Sequence, residues 1–346
     1  MNNGKELQFG QLQHGELKKF QRFIKENWKN KHLYSKDATI FDWQHKGFEY
    51  YHCVTAKRSQ RIIGVHCVIP LWQFDNNLEQ TDIFLSLFRA IDGETPGIGL
   101  QLYTKVLAFY APQFIGSVGI AEEMIPFHKR FGFVIGEMSH HVLLSSHCEN
   151  YKIAVVPTNI STETVASRST TCLRRLDKND LVSTGLERLY TYQVPKKSSA
   201  YIVSRYLNHP VYSYRIYGVI RDGRVEAFGV IRLVVVGKSV ALRLVDYVGP
   251  DNKIIDFFDG AHDLLRKYTG EYLDFYSYGI SERLFKEAGV LNRKEVDHMI
   301  IPDHFEPFVQ KNQNLLIAFS TEANTSNVRL FKGDGDQDRP NRMTVL

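Results

Sequence analysis

Apolar residues recur along this chain at two spacings, one typical of amphipathic helices and one typical of half-buried strands. Residues 17–28 carry apolar side chains on one helical face, which predicts a first helix that packs on a core. Strands and helices are then predicted to follow in turn. The predicted strands of this half cover residues 48–56, 62–70, 83–89, 114–120 and 140–145, and its predicted helices cover 100–110 and 125–131.

The second half repeats this order of elements. A glycine-containing turn at residues 221–224 predicts a hairpin, and residues 148–170, which are rich in turn formers, are predicted to connect the halves. The predicted strands cover residues 214–219, 225–236, 239–247 and 272–276, and the predicted helices cover 254–268 and 280–290. We therefore predict two domains, 1–150 and 151–346.

Composition supports a globular protein of this size. The chain has 346 residues, of which 43% are hydrophobic and 23% charged, so it is long enough for two cores. The net charge of +5 is spread along the sequence, and short basic clusters such as Lys196-Lys197 are interpreted as solvated. Such a field suits a small anionic substrate, whereas a nucleic-acid binder would show denser basic stripes. We predict no nucleic-acid partner.

The cysteines and the apolar runs suggest no metal and no membrane. Cys53, Cys67, Cys148 and Cys172 have no metal-ligand spacing and form no paired framework, so we predict no metal and a reducing, cytoplasmic location. Residues 1–12 lack the apolar core of a signal peptide, and no apolar run is long enough to cross a bilayer. The oligomeric state stays open.

A glycine-containing turn is the strongest local signal. Residues 94–102 read Glu-Thr-Pro-Gly-Ile-Gly-Leu-Gln-Leu and lie between a predicted strand and a predicted helix. Backbone N–H groups at such a helix start converge on one point and bind phosphate well, and paired glycines let the ligand approach closely. Alone the motif is weak, because many turns without a ligand contain it.

The segment from Arg61 to Phe133 resembles the GNAT acyltransferases. Gly97-x-Gly99 matches the family's pyrophosphate turn, and His128-Lys129-Arg130-Phe131-Gly132-Phe133 matches its later helix and Gly-Phe signature. The resemblance implies that coenzyme A binds here. The residues it assigns to the cofactor are Leu87, Phe88, Arg89, Pro96, Gly97, Ile98, Gly99, Leu100 and Gln101.

Two residues depart from the family pattern. Glu94 stands where the family usually has glutamine or arginine, so one contact to the pyrophosphate is missing. His128 stands where many members have the tyrosine that protonates the departing thiolate, so the resemblance makes His128 the candidate general acid. In the second half, Asp251 would place a negative charge at the corresponding turn, which predicts a degenerate copy that does not bind coenzyme A.

The whole chain resembles the bacterial tandem-GNAT sugar N-acyltransferases, of which the anthrose-pathway enzyme is the type case. The segments that carry the resemblance include residues 32–37, 64–71, 243–247, 301–308 and 333–341. It implies an α+β fold of two GNAT-like domains, each with a mixed, largely antiparallel sheet flanked by helices. It also implies acyl-CoA as co-substrate in the first domain and a nucleotide-linked amino sugar, acylated at C-4, as acceptor in the second.

The proposed chemistry needs a group that orients the attacking amine. Asp82 opens the strand before the turn and Asp92 follows it, so either could do this, although a strand cap and a β-turn explain them equally well. The sulfur could also take the amine proton itself. The candidates for acceptor binding are Trp43, His66, Arg243, Asp246, Tyr247, Asp338 and Arg339. Core packing is the simpler explanation for Trp43 and His66.

Two other functions are compatible with this pattern. A Fem-like transferase would take an aminoacyl group from tRNA, but the long helical arm and basic face expected of one are not visible. A binding protein without activity would have two degenerate copies, which the intact Gly97-x-Gly99 disfavours. Release of thiol from acyl-CoA separates the three.

Overall fold

The structure, a computed structural model, describes residues 6–160, 172–185, 189 and 193–341. The part of the predicted connection from 161 to 170 therefore lies outside the described residues. The strands are β1 (Leu7–Gln13), β2 (Tyr50–Arg58), β3 (Arg61–Pro70), β4 (Asp82–Ala90), β5 (Phe114–Val118), β6 (Val134–Glu137), β7 (Ser139–Leu144), β8 (Cys172–Leu176), β9 (Tyr214–Arg221), β10 (Arg224–Val236), β11 (Ser239–Val248), β12 (Gly270–Tyr278), β13 (Leu291–Asn292), β14 (His304–Phe305), β15 (Phe308–Val309), β16 (Leu316–Thr321) and β17 (Leu330–Phe331). The α-helices are α1 (Leu17–Asn27), α2 (Thr39–His45), α3 (Ile98–Tyr110), α4 (Ile125–Arg130), α5 (Lys178–Ser183), α6 (Ser199–Ile202), α7 (Lys253–Tyr268) and α8 (Glu282–Glu287).

The chain forms two compact units. Of the described residues, unit 1 contains those up to Val134, Ala318–Ala323 and those from Gly335 onward, and unit 2 contains those from Ile135 to Ile317 and Asn324–Asp334. The first unit thus takes in two short segments from the far end of the sequence, which periodicity along the chain does not reveal. This division by compactness falls before residue 150, and β7 belongs to the sheet of unit 2.

Unit 1 is built on a sheet in which β1 to β5 lie side by side in chain order, with β16 beside β5. The first four strands pair antiparallel, and β5 runs parallel to β4 because α3 connects them. β3 is buried from Ile62 to Pro70 and contacts α1, α2 and α3. Its almost unbroken apolar sequence is typical of a central strand that is covered on both faces.

Unit 2 repeats this arrangement. Its sheet has the order β13-β7-β12-β11-β10-β9-β8, and β17 pairs with β12. β9, β10 and β11 form an antiparallel meander, α7 follows, and β12 then pairs parallel to β11. The apolar face of α7, which includes Phe257 and Phe258, packs into the core against this sheet. Both sheets are mixed and largely antiparallel, as the predicted α+β class requires.

Most predicted elements are confirmed, with two informative differences. β1 was not predicted because only Leu7, Phe9 and Leu12 break its polar sequence, yet it pairs with β2 along its length. Trp28 was assigned to the core face of the first helix, but α1 ends at Asn27 and Trp28 is 36% exposed. The residue is thereby available to a nearby cavity.

Candidate functional site

The strands β4 and β5 of unit 1 separate after a short paired stretch. They pair only from Asp82 to Phe84, opposite Phe114 to Gly116. From Leu85 to Phe88 the β5-facing edge of β4 pairs with no strand among the described residues. An unpaired strand edge presents backbone donors and acceptors to a ligand. The separation therefore opens a wedge in the sheet.

A β-bulge in β4 lies at the same place. His66 pairs with Phe88 and Val68 pairs with Leu85, so Ser86 and Leu87 lie opposite Cys67 alone. The Ser86 hydroxyl donates to the Cys67 carbonyl at 3.0 Å, which fixes the irregular segment. A bulge bends the strand and redirects its backbone groups. Here it turns the edge of β4 toward the wedge.

The glycine turn leads from this strand into α3. Gly97 is the N-cap and has φ +74°, and nothing lies within 4 Å of where its Cβ would be, so the turn is open to a ligand. Gly99 lies close to the ring of Phe88, since a Cβ there would stand 2.9 Å from Phe88 Cζ. The N-terminus of the 13-residue helix α3 therefore faces the open end of the wedge with little side-chain cover.

Two arginines compensate the charge of Glu94. Arg58 and Arg61 each contact its carboxylate at 3.1 Å, and Arg58 also donates to the Thr95 hydroxyl at 2.7 Å. Because two cations meet one anion, this corner of the turn stays net positive. The two arginines, which sequence reasoning did not assign, supply the cationic character that Glu94 had placed in doubt.

A cavity of about 310 Å³ occupies the wedge. Volumes of this order accommodate part of a small ligand. The chain segments around it are the bulged strand, the start of α3, the end of β5, α4 and the returning segment from Gly335 onward. The residues along its wall whose side chains can form hydrogen bonds or exchange protons are His66, Ser86, Tyr103, Ser117, His128, Asp336, Gln337 and Arg339.

Two buried histidines face this cavity as neutral rings. His66 is 5% exposed and His128 is 3% exposed. Burial, and then the nearby His128, lowers the pKa of His66 to about 3, and burial lowers the pKa of His128. The Nδ1 atom of each ring has no hydrogen-bond partner among the described residues. A neutral ring can accept a proton or donate one N–H, so His128 as donor to a thiolate stays a prediction.

The buried His66 makes stability depend on pH. Its pKa is about 3 in the folded chain against an ordinary 6.5, so below about pH 6.5 the unfolded state binds more protons and stability falls. We expect His66→Gln to reduce the loss of unfolding free energy between about pH 7 and 5.5 by about 1 kcal/mol. Urea unfolding of both chains at the two pH values measures this.

The control for this prediction is His147→Gln, which removes an exposed histidine. It should follow the pH dependence of the wild type. An unchanged dependence in His66→Gln would mean that His66 is protonated in the folded chain.

Part of the predicted cofactor set lies at the wedge. Leu87, Phe88 and Gly99 line the cavity, together with the predicted acceptor residues His66 and Arg339. Pro96, Gly97, Ile98, Leu100 and Gln101 form the turn and the start of α3 next to Gly99 but are not part of the cavity wall. Their role toward the pyrophosphate stays a prediction.

The predicted amine-orienting carboxylates lie elsewhere. Asp82 stands at the start of β4, in the stretch paired with β5, and Asp92 has a side chain that is 88% exposed and contacts Arg89 at 3.1 Å. Arg89 also donates to the Asn27 carbonyl. Neither aspartate lines the cavity. Their catalytic role stays a prediction that the cavity does not support.

Three predicted acceptor residues are engaged inside unit 2. Arg243 is 1% exposed and binds Asp274 at 2.7 Å, Asp246 is fully buried, and the Tyr247 hydroxyl donates to the Pro250 carbonyl. In unit 1, Trp43 packs against Phe74 and Asp338 is 8% exposed, and neither lines the cavity. Their contacts favour structural roles, and acceptor binding by these residues stays a prediction.

Lys197 was interpreted as solvated, and this is wrong. Its side chain is fully buried, with Nζ at 2.7 Å from Asp246 and 2.9 Å from Asp334. Burial alone would lower the pKa of Lys197, but the charges of Asp246 and then Asp334 outweigh it and raise the pKa. The neighbouring Lys196 is exposed, so sequence gave no sign that the two lysines differ.

The wedge of unit 2 is closed by the chain itself. β11 has a bulge at Val245 and pairs with β12 only as far as Leu244, as β4 does with β5. The Gly333 N–H, however, donates to the Val245 carbonyl at 2.7 Å, and β17 pairs with the end of β12. Asp251 in the turn is held by Arg329 at 2.7 Å. A peptide segment therefore takes the place where a ligand would lie.

We therefore expect one acyl-CoA to bind per chain. Because the second wedge is filled, Asn252→Arg at its turn should leave the affinity for acyl-CoA unchanged despite the added positive charge. Isothermal titration calorimetry of the wild type and the variant measures both the number of acyl-CoA molecules bound per chain and the affinity. A second site in the wild type, or a clear change of affinity in the variant, would contradict the assignment of the cofactor to unit 1 alone.

Comparison with known proteins agrees with this geometry. No protein-family model matches the chain, and neither does any curated protein. A GCN5-related N-acetyltransferase of Anabaena variabilis superposes with a TM-score of 0.56 at 11% identity, over 91% of this chain and 72% of that one. A protein of Pyrococcus horikoshii, provisionally described as an acetyltransferase, gives 0.53 at 8% identity over 98% and 97%. The chain has the GNAT fold.

A third similar structure is the GCN5-related N-acetyltransferase of Kribbella flavida, with a TM-score of 0.52 at 10% identity over 91% of this chain and 71% of that one. These identities are low, so they establish the fold and leave the chemistry to the site. Within the described ranges no helix is both long and apolar enough to cross a membrane. The same residues contain no group of three or more His, Cys, Asp or Glu side chains that could hold a metal ion.

Proposed function

We propose that this chain transfers an acyl group from acyl-CoA to an amine. The observation that carries the proposal is the wedge between β4 and β5, which begins at the glycine turn and ends in a cavity whose wall includes polar side chains. Two structures with the same fold are GCN5-related N-acetyltransferases, which supports the proposal. The filled wedge of unit 2 provides the contrast, since among the described residues this space is open in unit 1 alone.

The pyrophosphate, the pantetheine arm and the thioester of acyl-CoA each match one part of the open wedge. The backbone N–H groups at the start of α3, with Arg58 and Arg61 beside them, suit the pyrophosphate. The unpaired edge of β4 suits the amide groups of the pantetheine arm. The thioester would then lie in the cavity, where the N–H groups of β4 at and after the bulge, from Leu87 to Arg89, would stabilise the charge that develops on the carbonyl oxygen.

We further propose that the acceptor is the amino group, at C-4, of a nucleotide-linked amino-dideoxy sugar such as dTDP-4-amino-4,6-dideoxyglucose. The support is the resemblance of the sequence to the tandem-GNAT sugar N-acyltransferases. Asp336, Gln337 and Arg339 line the cavity, and they belong to residues 333–341, one of the segments that carry the resemblance. Binding energy from the nucleotide, remote from the amine, would orient the amine for attack.

A thiol-release screen tests this proposal. Several acyl-CoAs are mixed with nucleotide amino sugars and with the corresponding free amino sugars, and thiol is followed with a chromogenic disulfide. We expect release with at least one nucleotide amino sugar and much slower release with its free form. A free amino sugar that reacts as well as its nucleotide would contradict the acceptor class, and no release with any amine would contradict the transferase.

A further inference from the structure

The cavity of unit 1 contains one acidic side chain. Among the described residues that line it, Asp336 alone is a carboxylate, and it belongs to the segment that returns to unit 1 at Gly335. Its side chain is 14% exposed. An amine that reaches the cavity arrives largely as an ammonium ion at neutral pH, and a largely buried carboxylate is the group that stabilises such a cation best.

The segment around Asp336 is fixed to the wedge. Gly335 has φ +63° and a Cβ there would be 3.9 Å from Phe84, so the backbone passes close to β4. The Gln337 amide donates to the Val118 carbonyl at 2.9 Å. Gly119 makes room for this contact, because a Cβ there would stand 2.4 Å from the Gln337 side chain. The carboxylate is therefore held at the end of β5.

The Asp336 carboxylate can still accept further hydrogen bonds. Asp336 Oδ2 accepts from Arg339 Nε at 3.1 Å, and Oδ1 lies 3.4 Å from the Gln337 amide nitrogen. A carboxylate has about four acceptor positions, so these two contacts orient the group and leave positions for an ammonium. The two neutral histidines of the wall, His66 and His128, add no positive charge that would repel the cation.

We infer that Asp336 binds the ammonium of the acceptor and takes its first proton. This inference rests on the proposed transfer of an acyl group from acyl-CoA. The ammonium gives one proton to Asp336, which holds it through the attack and returns it to solvent once the products have formed. The neutral nitrogen attacks the thioester carbonyl carbon, the C–N bond forms, and the C–S bond breaks with its electron pair on sulfur. The second proton passes from nitrogen to sulfur, so the products are an amide and coenzyme A thiol.

The variant Asp336→Asn tests this role. The change keeps the shape, and the remaining oxygen can still accept from Arg339, while it removes the charge and only the weak 3.4 Å contact to the Gln337 amide is lost. We expect acyl-CoA affinity and unfolding to match the wild type, and thiol release with dTDP-4-amino-4,6-dideoxyglucose or with propylamine to fall roughly 30- to 1000-fold. The matched control is Glu123→Gln, which removes an exposed carboxylate just outside the cavity wall and should react as the wild type does.

The pH profile separates amine binding from a structural role. The wild type binds the ammonium, so its kcat/KM should be flat from about pH 6 to the pKa of the free amine, whereas the variant must bind the neutral amine and should gain about tenfold per pH unit. Equal rates and parallel profiles in the wild type and Asp336→Asn would overturn the inference. If propylamine reacts and the nucleotide sugar does not, the acceptor class of the proposed function fails while the role of Asp336 stands.

Discussion

Gly99→Asp is expected to abolish acyl-CoA binding while the chain stays folded. The new side chain meets the ring of Phe88, since the Cβ position lies 2.9 Å from Phe88 Cζ. It also brings a negative charge toward the pyrophosphate. Two like charges at about 4 Å repel by about 4 kcal/mol at an effective dielectric constant near 20, which corresponds to roughly a thousandfold in Kd. Calorimetric titration with acetyl-CoA measures the loss.

Two control variants separate the steric effect of the new side chain from the effect of its charge. Gly99→Ala adds the Cβ without the charge and should weaken binding by less than the aspartate does. Gly15→Asp makes the same chemical change in unit 1 where no atom lies within 4 Å of the new Cβ, and it should leave the affinity unchanged. Unchanged affinity in a folded Gly99→Asp chain would show that the pyrophosphate does not bind at this turn.

Lys197→Met is expected to be the most destabilising change in unit 2. The lysine is fully buried between Asp246 and Asp334, and the Tyr206 hydroxyl donates to Asp246 at 2.6 Å. Removal of the cation leaves two carboxylates together without a counter-charge, which typically costs about 3–5 kcal/mol. Burial already raises the pKa of Asp334, and the variant would bind a further proton there. Urea unfolding near pH 7 measures the loss.

The neighbouring residue supplies a matched control. Lys196→Met removes the same side chain one position earlier, where it is exposed, and should change the unfolding free energy by less than about 0.5 kcal/mol. Equal stability of the two variants would mean that Lys197 is not a buried counter-ion. A shift of the Lys197→Met midpoint toward the wild type at lower pH would agree with protonation of the carboxylates.

The sequence predicts well what depends on local periodicity. α3 and α7 begin within two residues of their predicted starts, and β4 and β11 match their predicted strands closely. The glycine turn is also local, because Gly97 takes a positive φ that its own sequence favours. The repeat of strand, turn, helix and strand in both halves can therefore be predicted from the pattern of apolar residues.

What depends on distant parts of the chain could not be predicted. The compensation of Glu94 by Arg58 and Arg61 joins residues more than 30 positions apart. Asp336 reaches the cavity because the segment after residue 334 returns to unit 1, and its alternating acidic sequence signals only an ordered loop. The contact by which Gly333 closes the wedge of unit 2 also joins distant parts of the chain, so it could not be predicted either.

The most direct test of the account is the product of one reaction. The full chain is incubated with acetyl-CoA and dTDP-4-amino-4,6-dideoxyglucose, and both the thiol and the sugar nucleotide are quantified by mass spectrometry. We expect one N-acetylated sugar nucleotide for each coenzyme A released, and neither product with Gly99→Asp. Thiol released without acylated amine, or no thiol from a chain that binds acetyl-CoA, would contradict the proposed function.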